Sequence, residues 1–171
     1  QEEALTMSDR IAVMSAGRAL QVEAPVQLYE APNCRFVADF IGTMNFFNGS
    51  ITSVANGLTT VDAGPLGKIC AITPASSLSE GSDVLVAIRP EKLAIAMSAP
   101  TEQVNSVRGL MGPSAYLGDR SHFYVNVAGN EAPIAVASQN LDSSAGQFRE
   151  GSDTPIWLSW SQDSVVLLPH E

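Results

Sequence analysis

The chain has 171 residues, enough for one ordinary domain or for one domain with part of another. Hydrophobic residues make up 45%, which supports a real core, while nine Lys and Arg face eighteen Asp and Glu for a net charge of −9. That balance argues against a binder of nucleic-acid backbones, which needs clustered cations. No apolar run approaches the roughly 18–20 residues that span a bilayer; Val84 to Ile88 and Val165 to Leu168 are strand-sized. The opening Gln1-Glu2-Glu3 has neither an initiator Met nor a basic segment leading into an apolar one, so a piece of a longer protein without a signal peptide is expected. Cys34 and Cys70 lie far apart and outside any CxxC spacing, as expected of free thiols in a reducing, cytoplasmic compartment.

In chain order, Glu2, Glu3, Ala4, Leu5 and Met7 predict a short helix with its acids early, ended by Ser8-Asp9. Ile11 to Met14, the turn Ser15-Ala16-Gly17, and Ala19 to Val22 read as a hairpin. Pro25 can open a helix carrying Val26, Leu28 and Tyr29, which stops before Pro32. A further helix, Cys34 to Ile41, sets Phe36, Val37, Phe40 and Ile41 at helical spacing and ends at Gly42.

After Gly42 the helical period disappears. Strands are predicted near 44–54, 58–63, 67–72, 84–88, 93–97, 105–117, 122–128, 134–137, 154–160 and 164–168, separated by Gly, Pro, Asn, Asp and Ser. Phe123, Val125 and Val127 alternate with Tyr124 and Asn126, and Ile156, Leu158 and Trp160 alternate with Trp157 and Ser159. These two sets should face inward in a barrel or sandwich. Two related strand groups, about 44–98 and 105–168, suggest two small barrels. The expected division is therefore 1–42, an α/β segment, and 43–171, an all-β domain.

Catalytic constellations are missing. Gly64-Pro65-Leu66-Gly67-Lys68-Ile69 imitates a phosphate loop, but only two residues separate the glycines, and Ile69 stands where Ser or Thr would hold magnesium. It reads as a β-turn. Leu78-Ser79-Glu80-Gly81 imitates a transport-ATPase signature, yet Glu80 would repel phosphate and a strand follows. His122 and His170 have no metal-ligand spacing, Ser114 lies in no nucleophile elbow, and nothing selects a general acid–base pair. Catalytic, cofactor-binding and metal-binding residues are all expected to be absent, which favours a binding or regulatory module over an enzyme. Phe46, Phe47, Trp157 and Trp160 are read as core rather than as a ligand cage.

The residues do carry a resemblance. Gln1-Glu2-Glu3-Ala4, Met7-Ser8-Asp9-Arg10-Ile11-Ala12-Val13-Met14 and Gly17-Arg18 resemble the stretch of ABC importer ATPases just after the switch histidine. The match continues through Gln21-Val22, Pro25, Tyr29, Pro32 and Phe36 to Gly42. Val86-Ala87-Ile88-Arg89-Pro90-Glu91, Tyr116-Leu117-Gly118-Asp119-Arg120, Leu158-Ser159-Trp160 and Val165 to Pro169 resemble the TOBE regulatory domain of the same subunits. Met44-Asn45-Phe46-Phe47 looks most like the polyamine (spermidine/putrescine) branch, with iron and sugar importers close by. The resemblance implies a mainly β fold, an OB-like TOBE barrel preceded by the end of an ABC nucleotide-binding domain. The phosphate loop, signature, Walker B carboxylate and switch histidine would all precede Gln1, so ATP and magnesium belong to the parent subunit, a transport ATPase, and this fragment is not itself an enzyme.

The implied role is regulation and dimerisation. A homodimer and inner-membrane permease subunits are the expected partners, with no nucleic acid and no insertion into the membrane; the location is cytoplasmic, on the inner face of the cell membrane. The alternative is a small-molecule sensor that binds transported substrate or an oxyanion and damps transport. Candidate regulatory or interface residues are Arg89, Glu91, Tyr116, Asp119 and Arg120. Arg89 and Glu91 flank a proline that should end a strand at a barrel rim. Local pairing of the two across the turn is the first expectation, and an inter-domain or dimer contact the second. The apolar positions of residues 1–42, Phe36 and Phe40 among them, are expected to seek a partner surface in a second copy by a two-fold exchange of this segment, the alternative being that it folds back on its own barrel.

Overall fold

The computed structural model describes residues 2–74, 78–102, 105–116, 120–139 and 153–170, without the side chains of residues 2, 116, 120 and 139. Helix α1 (Glu2–Met7) leads into the hairpin β1 (Ile11–Ser15) and β2 (Arg18–Glu23). Its turn places both Ala16 and Gly17 at positive φ, the geometry that matches strand twist. Helix α2 (Pro25–Glu30) starts on its proline, and α3 (Arg35–Ile41) follows. Val13, Leu28, Val37 and Ile41 form a small core among these elements.

The remainder is β-structure: β3 (Asn45–Ala55), β4 (Leu58–Asp62), β5 (Lys68–Ile72), β6 (Asp83–Ile88), β7 (Ala94–Ala96), β8 (Asn105–Tyr116), β9 (Arg120–Asn126), β10 (Ile134–Gln139), β11 (Pro155–Trp160) and β12 (Val165–Pro169). Among the described residues these make two five-stranded antiparallel sheets, ordered β12-β6-β3-β4-β5 and β7-β11-β8-β9-β10. In the first sheet the edge strands β12 and β5 approach each other; in the second, β10 meets the 3-10 turn Pro90–Lys92 that precedes β7. Each sheet thus curls into a nearly closed, OB-like barrel.

The two orders correspond strand for strand, with β3 matching β8, β4 matching β9, β5 matching β10, β6 matching β11, and β12 matching β7. This internal repeat corrects the expected split. The short strand β7 falls in the first sequence group but completes the second barrel, while β12, from the end of the chain, completes the first. Both long strands open with Asn and place Gly four residues later, at Gly49 and Gly109. A Cβ at Gly49 would sit 2.4 Å from Val61 Cγ1, and one at Gly109 would sit 2.6 Å from Val125 Cγ1. Glycine is what allows the neighbouring strand to cross so closely.

The barrels share one continuous core, which includes Phe47, Ile51 and Val86 from the first and Val125, Ile156 and Leu158 from the second. All six side chains expected to point inward, Phe123, Val125, Val127, Ile156, Leu158 and Trp160, are buried. Helix α3 joins the N-terminal elements to this body. Its Val37 and Ile41 face the small core, while Ala38 packs with Met44, Leu85, Ala87 and Leu168 on the outer face of the first barrel.

Candidate functional site at the turn between the barrels

The turn that carries the chain from β6 to β7 begins Arg89-Pro90-Glu91-Lys92. Pro90 has no N–H to donate and a fixed φ, so the strand stops and a 3-10 turn starts on it. Arg89 stays extended, at φ −73° and ψ 141°, and its side chain is only 3% exposed. The guanidinium lies 3.6 Å from the centre of the Tyr29 ring, a cation–π contact. Its Nη2 donates to the backbone carbonyl of Tyr29 at 2.7 Å, and its Nη1 is buried without a hydrogen-bond partner among the described residues. Gly42 closes the other side: a Cβ there would lie 3.1 Å from Nη1 and 3.6 Å from the Tyr29 ring.

The next residues of the turn grip the same helix. The Tyr29 hydroxyl donates to Glu91 Oε1, and Lys92 Nζ pairs with Glu30 Oε2 at 3.4 Å. Burial, followed by the hydrogen bond to Glu91, pushes the Tyr29 phenol up to about 12. Burial also lowers the pKa of Arg89, the nearby Tyr29, Glu91 and Glu30 working against it. The expected local pairing of Arg89 with Glu91 does not form among the described residues. Both side chains turn to Tyr29, because the planar guanidinium gains a ring face and a carbonyl there that a neighbouring carboxylate across the turn does not offer. What forms is a contact between this turn and α2.

Tyr116 ends β8 and Arg120 opens β9, but their side chains, and the whole of Asp119, lie outside the described residues. Gly64–Leu66 is a 3-10 turn and Lys68 starts β5, so the imitation phosphate loop is a turn between strands. Glu80, in the imitation signature, accepts the backbone N–H of Val54 at 3.3 Å. Cys34 and Cys70 are both free. No helix among the described residues is long and apolar enough to cross a membrane.

Two buried asparagines are not evident as site residues from the sequence. Asn45 opens β3 of the first barrel and clamps Ala135 of the second: Nδ2 donates to its carbonyl and Oδ1 accepts its N–H, both at 2.8 Å. Asn105 opens β8 of the second barrel and holds Cys70 of the first in the same two-bonded way, again at 2.8 Å for both. Each side-chain amide thus satisfies the backbone of the other barrel's outermost strand. The detectable signal is the pair of Asn-x-x-x-Gly stretches at matching places in the two strand groups. Tyr29 and Gly42 stand in the sequence only as parts of a family pattern, since nothing local to them points to Arg89.

Comparison with known proteins gives this geometry a context. Residues 86–168 match the TOBE domain family. The chain is 39% identical, over 169 residues, to the spermidine/putrescine import ATP-binding protein PotA of Thermobifida fusca, a match covering 99% of this chain and 43% of that protein. It is 34% identical over 173 residues to the putrescine transport ATP-binding protein PotG of Escherichia coli, covering 98% of this chain and 44% of the relative. The chain therefore spans less than half the length of these relatives. Among solved structures, the cytoplasmic molybdate-binding protein ModG superposes with a TM-score of 0.63 at 13% identity, covering 74% of this chain and 96% of ModG, which shows a common fold. Residues 86–168 are thus a TOBE domain, and the chain as a whole matches a C-terminal portion of the ATP-binding proteins of spermidine/putrescine importers.

Proposed function

We propose that this chain is the regulatory and dimerisation region of the ATP-binding subunit of a polyamine importer. The observation that carries the reading is the 39% identity to a spermidine/putrescine import ATP-binding protein along 99% of the chain. Residues 1–42 are the end of the nucleotide-binding domain and 43–171 the regulatory domain. ATP and magnesium bind elsewhere in the subunit, which sits on the cytoplasmic face of the membrane against the permease subunits. Residues 1–171 then perform no catalysis. Their contribution is to hold the end of the catalytic domain on a rigid double barrel, through α3 and through the grip of Arg89, Glu91 and Lys92 on α2.

Self-association is supported by apolar surface that the fold leaves open. Phe36 and Phe40 are 43% and 45% exposed and stack at 6.0 Å on the outer side of α3. The same segment buries Val13, Leu28, Val37 and Ile41 on its own, so the surface left for a second copy is smaller than the sequence alone suggests. Light scattering at several concentrations decides the matter, because a mass of 18.0 kDa throughout contradicts dimerisation.

A sensor is the second reading. It is favoured by the likeness in fold to ModG, a protein described as molybdate-binding. Calorimetry with ATP, polyamines and simple anions separates the two. Silence with all three supports the regulatory reading. Saturable heat with an anion or a polyamine supports the sensor, and micromolar affinity for ATP contradicts both.

A further inference from the structure

The N-terminal elements touch the double barrel in two physically different ways. At α3 the contact is small and mostly apolar: Ala38, a side chain of one carbon, packs on Met44, Leu85, Ala87 and Leu168, and the Arg35 guanidinium lies 5.0 Å from the centre of the Phe46 ring. At α2 it is polar and aromatic, made by the Tyr29 ring, its hydroxyl and its carbonyl, with Glu30 added, against Arg89, Glu91 and Lys92. The α2 side moves with the N-terminal elements, because Leu28 is fully buried in their own core beside Val13, Val37 and Ile41. A body with its own core, resting on the barrel through one short helix and held at a second point by polar groups, can rock about the first when the second lets go.

We propose that α3 is a pivot and the Arg89–Tyr29–Glu91 contact a releasable catch, so that residues 2–41 swing as one body relative to the barrels. Two features make the catch releasable rather than permanent. The Arg89 Nη1 is buried without a partner among the described residues, a group that gains hydrogen bonds from water on opening. The remaining ion pair, Lys92 with Glu30, is 37% and 50% exposed, so water already shares it. The pivot has no such incentive, since opening it uncovers apolar surface and gives up the contact of Arg35 with the Phe46 ring. This motion extends the regulatory reading, but it is a property of the chain itself and is tested without transport or ATP.

The test is a distance measurement by pulsed electron resonance. Spin labels are placed at Val26→Cys on α2 and Ile72→Cys on β5, both exposed, in a background with Cys34→Ser and Cys70→Ser. Amide exchange of the β1–β2 hairpin is followed in parallel. A narrow distribution is expected for the parent, broader and with a second, separated population in Arg89→Gln. Tyr29→Phe, which removes only the hydroxyl bond to Glu91, is expected to shift a smaller share. Gly42→Ala, which crowds Nη1 without removing charge, is expected to open the catch as well. Hairpin protection stays unchanged throughout. An unaltered distribution in Arg89→Gln overturns the proposal. So does loss of hairpin protection together with the broadening, because the contact is then ordinary packing and the body unfolds rather than swings. Should Arg89→Gln not fold, Tyr29→Phe and Gly42→Ala decide by the same two readouts.

Discussion

The two barrels are built on one plan, and what distinguishes them is where their outer faces and turns look. In the first, β6 reads Val84-Leu85-Val86-Ala87-Ile88 and all five residues are buried. Its inner face meets the shared core and its outer face meets α3. In the second, the equivalent β11 reads Ile156-Trp157-Leu158-Ser159-Trp160, with full burial only at alternate positions. The turns after these strands differ in the same sense. After β6, Arg89, Glu91 and Lys92 reach out to α2. After β11, Ser161 donates to Asp163 and meets the Ser164 hydroxyl at 2.7 Å, so that turn satisfies itself. A repeated architecture has been made asymmetric by a few residues at one strand face and one turn, and those residues attach the N-terminal elements.

Several substitutions test how deep the symmetry and its breaking run. The largest effect is expected from the shared core: Leu158→Ala, in the second barrel, should cost about 2–5 kcal/mol. Because the core is continuous, circular dichroism and tryptophan fluorescence should still report a single denaturant transition. Two separate transitions would break the view of the barrels as one body. Next, Asn45→Ala and Asn105→Ala should each cost about 1–3 kcal/mol by leaving a backbone pair on the opposite barrel unsatisfied. Similar losses sharpen the symmetry, and a loss at one site alone breaks it. The turns should then part company. Arg89→Met should cost about 1 kcal/mol or more through lost contacts to Tyr29, whereas Ser161→Ala should stay within about 0.5 kcal/mol.

The smallest effect is a titration. A phenol raised from the ordinary 10.0 to about 12 holds its proton more tightly folded than unfolded. The stabilisation it contributes is complete below pH 10 and fades as the pH rises through about 12. Ultraviolet titration of the phenols should therefore show Tyr29 ionising near pH 12, and the step should fall toward 10 in Glu91→Gln. No change in that variant would mean that burial alone sets the shift.

Much of the fold was legible because it rests on local rules. Period-two runs marked β9 and β11, the change of texture at Gly42 marked the end of the helices, and Pro25 and Pro90 marked the starts of α2 and a turn. Strand destination was not legible. Nothing within Ala94–Ala96 or Val165–Pro169 says that these strands cross to different barrels, since that choice depends on closing each sheet around a common core. The site was half legible. Arg89 and Glu91 stood out beside their proline, yet their partner Tyr29 lies about sixty residues upstream, and the register that joins them is set by how α3 seats on β6. Asn45 and Asn105 have the same character: a polar residue opening a strand looks like a turn residue until the opposing backbone is known.

The central claim is that this chain serves as the regulatory region of a polyamine importer subunit, and the most direct measurement is a replacement. The matching region of the Thermobifida fusca relative is exchanged for this chain, and uptake of labelled putrescine and spermidine is followed in cells lacking their own importer subunit. The expected result is restored uptake that falls when Arg89→Gln is introduced while ATP hydrolysis persists. A chimera that hydrolyses ATP and reaches the membrane yet restores no polyamine uptake would contradict the claim.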